Sequence, residues 1–258
     1  MIEIRELSKR YGGILGIQSL TLTIETGSFF GFVGPNGAGK STTVNVLTGI
    51  IRPTSGKVKI LGLELDRNPI EIKKQIGVVP EGVALFEGLT GEEYLMFVSR
   101  IYRLSHEEAQ QRIRDLLVLF DLEQSGSRLI ETYSQGMKKK LAFAAAILHD
   151  PKVLFLDEPF DNVDPVSRRI MKDLLVKMKS RGVTIFMTSH ALETVETLCD
   201  EVAIINKGRI VFQAKTEEIR KRIKNEISQE TYQSLEEIFL DVVSGIEEKN
   251  KPKSLSWL

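Results

Sequence analysis

The residues Gly34-Pro35-Asn36-Gly37-Ala38-Gly39-Lys40-Ser41-Thr42 fit the phosphate-binding pattern G-x-x-x-x-G-K-[ST] without a gap. Each residue type has a task there. Glycines let the backbone curl around an anion with its N–H groups pointing inward. A helix that starts where the loop ends adds unpaired N–H groups and the positive end of its dipole. Lys40 is placed to reach the β- and γ-phosphates of a nucleoside triphosphate, and the hydroxyl of Ser41 to ligate Mg²⁺. Asp157 and Glu158 follow the apolar run Val153-Leu154-Phe155-Leu156. A carboxylate at the end of a buried parallel strand can hold Mg²⁺ through its water shell, and Glu158 beside it can polarise an attacking water as general base. His190 closes another apolar run, Val183–Met187, where an imidazole could donate a hydrogen bond to the γ-phosphate. His106 and His149 sit in helical surroundings without ligand spacing, and no cysteine–histidine cluster suggests zinc.

These groups need elements to hold them. The apolar stretch Ser28–Val33 reads as a buried strand before the loop, and Val44, Val46 and Leu47 begin a helix after it that ends near Gly49. Strand, glycine loop and helix is the context the motif requires. Upstream, Ile2, Ile4 and Leu7 suggest a strand, with Lys9–Gly13 as a turn that presents the ring of Tyr11. Leu20, Leu22 and Ile24 alternate with Thr21, Thr23 and Glu25, the pattern of a half-buried antiparallel strand. Strands also read at Lys57–Leu61 and at Ile76–Val79, the latter stopped by Pro80. From roughly Leu89 to Leu148 only helical periodicity is found. Tyr94, Phe97, Val98 and Ile101 share one face there, and Ile113, Leu116, Leu117 and Phe120 another; both faces read as core packing. Tyr133-Ser134-Gln135-Gly136-Met137 opens a helix that Asp150-Pro151 closes, and Asp164-Pro165 caps the helix carrying Ile170, Leu174 and Met178. Two strands, Glu201–Ile205 and Arg209–Phe212, flank the hairpin turn Asn206-Lys207-Gly208. A last helical stripe contains Leu235, Ile238, Phe239, Val242 and Val243, and Lys249–Lys253 read as frayed or disordered. The pattern is α/β: an antiparallel sheet joined to a parallel core that an all-helical block interrupts.

At 258 residues the chain can bury a full core and suits one large domain or one domain with a small appendage. Its 35 basic and 35 acidic residues cancel, so no polybasic surface argues for nucleic acid or anionic membrane. The single Cys199 excludes an internal disulfide and suits a reducing compartment. Met1-Ile2-Glu3-Ile4-Arg5 alternates charged and apolar groups, unlike a signal peptide, and no long uncharged apolar run is present. The expectation is a soluble, cytoplasmic chain whose connection to a membrane comes through a partner.

Taken together, the phosphate loop, the Tyr133–Met137 segment before the Asp157-Glu158 strand, and Ser189-His190 resemble the ATP-binding subunits of ABC transporters, over roughly Ile2 to Phe212. The resemblance implies a P-loop NTPase (RecA-like) core with an N-terminal antiparallel β subdomain and an inserted all-helical subdomain. It assigns 1–213 to the ATP-binding domain, with the helical subdomain roughly 84–150, and 214–258 to a short helical extension with a frayed tail. It further implies that Tyr11 stacks on adenine, worth ~1–3 kcal/mol. Ser134 and Gly136 match the signature motif that grips the γ-phosphate bound to another subunit. Asn162 and Asp164 match the loop that crosses between subunits, and His190 the switch histidine. Two such subunits would sandwich two ATP molecules with Mg²⁺, and separate integral-membrane permease subunits would carry the cargo, leaving this chain peripheral to the membrane.

Two departures stand out. Glu81 occupies the place where the family usually has a glutamine that touches Mg²⁺ and links the site to the membrane subunit. A carboxylate could still ligate Mg²⁺ but adds a negative charge beside the triphosphate. The signature carries Gln135 and Met137 and is followed by Lys138, Lys139 and Lys140. That form, and the Leu235–Val243 stripe, look like the exporter branch that handles drugs, polysaccharides and lipids. The alternative is a non-transport or regulatory ABC ATPase with weak hydrolysis.

Overall fold

Alternating apolar and polar residues produce the first two strands, β1 (Ile2–Tyr11) and β2 (Ile14–Ile24), which pair antiparallel. With β4 (Ser55–Ile60) and β5 (Leu63–Glu64) they form a four-stranded antiparallel sheet in the order β2-β1-β4-β5. The computed structural model describes residues 1–219 and 234–244; Lys249–Lys253, expected to fray, lie outside the described residues. One expectation is corrected here. Lys9-Arg10-Tyr11 belong to β1 rather than to a turn, because cross-strand pairing runs on to Tyr11 opposite Ile14 and leaves only Gly12-Gly13 to reverse the chain.

The second sheet is built from the continuous apolar runs. β3 (Phe29–Val33), β6 (Ile76–Val79), β7 (Val153–Asp157), β8 (Thr184–Ser189) and β9 (Glu201–Asn206) lie parallel, and β10 (Arg209–Lys215) joins antiparallel at the edge, in the order β10-β9-β3-β8-β7-β6. Strands covered on both faces need no polar side, which is why they read as runs rather than alternations. Their two-residue period divides the interior. Phe30, Phe32, Phe155 and Phe186 pack toward the antiparallel sheet, whereas Phe29, Val33, Leu154, Leu156, Ile185 and Met187 pack toward the helices.

The helical block comprises α3 (Gly91–Ile101), α4 (His106–Leu119) and α5 (Gln135–Ile147). Its starts are chemically marked: Thr90 and Glu93 form a reciprocal capping box, and Ser105 and Ser134 cap α4 and α5. Two short helices, α1 (Lys40–Leu47) and α2 (Pro69–Lys73), precede the block. After it come α6 (Pro165–Ser180), α7 (Leu192–Leu198) and α8 (Leu235–Ser244). α5 lies directly on β6: a Cβ on Gly77 would stand 2.0 Å from the carbonyl oxygen of Ala146. The α4 stripe is core, with Ile113, Leu117 and Phe120 buried. The α3 stripe is corrected. Tyr94 and Val98 pack on the core, but Phe97 and Ile101 are 42% and 59% exposed, because no described element covers that side of the helix.

Candidate active site

The phosphate loop leaves β3 at Val33 and closes into α1. Gly37 and Gly39 adopt φ of +78° and +113°, and a Cβ on Gly39 would stand 2.5 Å from the carbonyl oxygen of Gly16. The pattern therefore demands glycine at position 39 for both conformation and space. The loop is braced from behind by the β9–β10 turn, where Lys207 and Gly208 both have positive φ, as a two-residue hairpin turn requires. The Gly208 N–H donates to the Ala38 carbonyl at 2.9 Å, and the Gln18 N–H to the Gly208 carbonyl at 2.8 Å. Lys40 is buried; its Nζ donates to the Gly34 carbonyl at 2.8 Å and lies 3.9 Å from Glu158 Oε1. A buried ammonium held by loop carbonyls can exchange them for phosphate oxygens.

Three oxygen groups gather beside it. Ser41 Oγ donates to Glu81 Oε2 at 2.9 Å, and Thr188 Oγ1 donates to Asp157 Oδ1 at 2.5 Å. Burial raises the Asp157 carboxyl above its ordinary value, while the hydrogen bond from Thr188 pulls it back. A hydroxyl and two carboxylates are hard oxygen donors, the set that suits Mg²⁺. Glu158 holds a left-handed backbone, φ +47°, and its N–H donates to Thr188 Oγ1 at 3.1 Å. Its carboxyl is also raised by burial and pulled down by His190, whose backbone N–H lies 3.2 Å and Nδ1 3.0 Å from Oε2. His190 thus rests on Glu158 with its ring open to solvent.

Tyr11, the phosphate loop, Glu81, Glu158 and His190 line one cavity of about 790 Å³, a volume suited to a nucleotide. Asp157 lies buried behind it. Asp161 and Phe239 also line the cavity, and reading the sequence missed both. Asp161 was legible as a third acid after the Asp157-Glu158 strand; Phe239 was not, since only the packing of α8 brings it there. Thr188, which holds both Asp157 and Glu158, was missed too, although it directly precedes Ser189-His190.

Ser134, Gly136, Asn162 and Asp164 do not line this cavity. They form a separate group. Ser134 is exposed, its Oγ accepting the Met137 N–H at 3.2 Å. Gly136 backs onto the loop at Asn162, where a Cβ would stand 2.7 Å from the carbonyl oxygen. Asp164 accepts the Ser167 N–H at 2.8 Å, which lowers its carboxyl, and faces Lys140 at 4.0 Å.

Residues 17–161 match the protein family described as ABC transporter. The chain is 33% identical to the linearmycin resistance ATP-binding protein LnrL of Bacillus subtilis (strain 168), over 97% of this chain and 81% of that protein. Among solved structures, it superposes on the ATP-binding subunit of an ABC transporter with a TM-score of 0.85 and 30% identity, covering 94% of this chain and 99% of that one. It also superposes on the dimeric structure of MJ0796, a bacterial ABC transporter cassette, with a TM-score of 0.78 and 25% identity, covering 84% and 99%.

Proposed function

The chain belongs to the ABC transporter family as an ATP-binding ATPase subunit, and from that premise we propose that it powers export through separate membrane permease subunits after pairing with a second ATP-binding subunit. One observation carries the pairing. The cavity holds the phosphate loop and Glu158, yet the exposed α5 N-terminus at Ser134 and Gly136 lies outside it. A capped helix start with free N–H groups is an anion site, and here its anion must come from another molecule. The second subunit is either another copy or a different ATPase. The relative named for linearmycin resistance supports outward transport of a drug-like cargo, and the charge balance gives no support to nucleic acid.

The residues divide the work. Tyr11 offers its ring to adenine, and the loop N–H groups from Gly34 to Thr42 with Lys40 hold the phosphates. Ser41, Asp157 and Glu81 would hold Mg²⁺, which when bound neutralises charge on the phosphates. Glu158 takes the proton of the attacking water. His190 keeps Oε2 oriented, and once Lys40 turns to phosphate the Oε1 atom is released for the water. Asn162 and Asp164 face the second subunit.

Contact with the permease is supported by an apolar groove of about 500 Å³ between the helical block and the core, where Phe86, Phe97 and Ile101 are exposed next to Pro80. Among the described residues no helix is long and apolar enough to cross a membrane. We assign the chain to the cytoplasmic face, with residues 1–213 as ATP-binding domain, roughly 84–150 as its helical part and 214–258 as an extension whose α8 packs on the core. The test is Glu158→Gln. It should bind ATP and form a stable ATP-dependent dimer with turnover lower by about 10²–10⁴-fold. Hydrolysis at the normal rate would remove Glu158 as the base. A second reading, a regulatory ATPase of weak turnover, draws on Glu81, which sets a carboxylate on Ser41 where the family usually has an amide.

A further inference from the structure

Three consecutive lysines follow Gln135-Gly136-Met137 in α5, and each reaches a different part of the protein. Lys138 pairs with Glu87 at 2.5 Å, ahead of α3, and Lys140 faces Asp164 at 4.0 Å. Lys139 points into the interior and is 4% exposed. Its Nζ lies 3.2 Å from the Pro80 carbonyl, 3.2 Å from the Glu81 carbonyl and 3.4 Å from the Asp157 carbonyl. An ammonium has three donors, and here all three are directed at the carbonyls where β6 and β7 end. Burying an ammonium is costly unless it is paired and hydrogen-bonded. Asp161, Asp157, Glu81 and Glu158 supply the compensating negative charge around it.

We propose that Lys139 is a positioning residue that ties the start of α5, with Ser134 as its cap, to the backbone of Glu81 and Asp157, so that the acids facing the phosphates and the segment offered to the second subunit move as one body. The inference rests on the roles proposed above for those residues. Lys139 does not line the cavity at the phosphate loop. It acts through the strand ends, and it lies one turn beyond the Ser134 cap, so a shift at Glu81 is carried to Ser134 without passing through a flexible loop. Lys138 and Lys140 make no such contact with the strands.

The test compares Lys139→Met, which keeps the apolar stem and removes the donors, with Lys139→Arg, which restores charge and donors. In Lys139→Met, ATP affinity measured calorimetrically without Mg²⁺ is expected to stay at the wild-type value, because Lys40 and Tyr11 are untouched. Its kcat is expected to fall by about a hundredfold, the loss that follows an ångström-scale misplacement of reacting groups. In the Glu158→Gln background, the same change should raise the ATP concentration needed for dimerisation on size-exclusion chromatography. Lys139→Arg should recover most of both losses. Three results overturn the proposal: wild-type turnover and dimerisation in Lys139→Met, ATP affinity falling in step with kcat, or no recovery in Lys139→Arg. Should Lys139→Met not fold, Lys139→Gln, which keeps two donors, is judged by the same criteria. A wild-type protein that hydrolyses no ATP would instead remove the proposed function, and this inference with it.

Discussion

Glu81 is the residue at which the two functional readings part. Its carboxylate accepts from Ser41 at 2.9 Å, so it already occupies the neighbourhood in which the phosphates and their cation belong. Replacing it by glutamine keeps an acceptor for Ser41 and removes one charge. A screened charge at such distances is worth ~1 kcal/mol, so on the transport reading Glu81→Gln should change ATPase turnover by less than about tenfold. A steady-state gain of about a hundredfold would carry the regulatory reading instead. Lys40, Ser41, Asp157 and Glu158 were legible because each is tied to a motif or to the end of an apolar run. Thr188 and Lys139 were not singled out as site residues, since a threonine or a lysine in a mixed segment has no periodicity to mark it. Their importance comes from what they touch, and in each case that is a residue distant in sequence.

At the scale of elements, β6 and α5 pack backbone against backbone. Gly77 admits the backbone of Ala146, and Lys139 reaches the end of the same strand from the second turn of the same helix. Gly77→Ala would force the two backbones apart and should destabilise the protein by at least ~1–3 kcal/mol, read as a lowered Tm in thermal unfolding. An unchanged Tm would mean that the helical block gives way more freely than this packing implies. The caps of α5 and α6, Ser134 and Asp164, were readable because capping is local chemistry; Thr90 and Ser105, which cap α3 and α4 in the same way, were not singled out. The extent of β1 was not readable, since Lys9–Tyr11 become strand only when β2 pairs beside them.

At the scale of the whole molecule, the proposed function gives two of the described surfaces to partners: the opening at the phosphate loop and the groove beside α3. Phe97 belongs to the second and does not line the cavity at the phosphate loop. Phe97→Asp should keep the ATPase rate of the isolated subunit while abolishing assembly with, and transport by, the permease in membrane vesicles. Unimpaired transport would place the permease contact elsewhere. By itself, the sequence determined the phosphate loop, the strand–loop–helix that holds it, the acids that follow β7 and the two-sheet architecture with its helical block, because loop chemistry, caps and strand periodicity are local. Only the tertiary structure decided that Phe97 and Ile101 face outward, that α8 brings Phe239 to the nucleotide cavity, and that Ser134 and Gly136 stand outside the cavity of their own chain. Those outcomes depend on which helix covers which face, and no run of neighbouring residues encodes that.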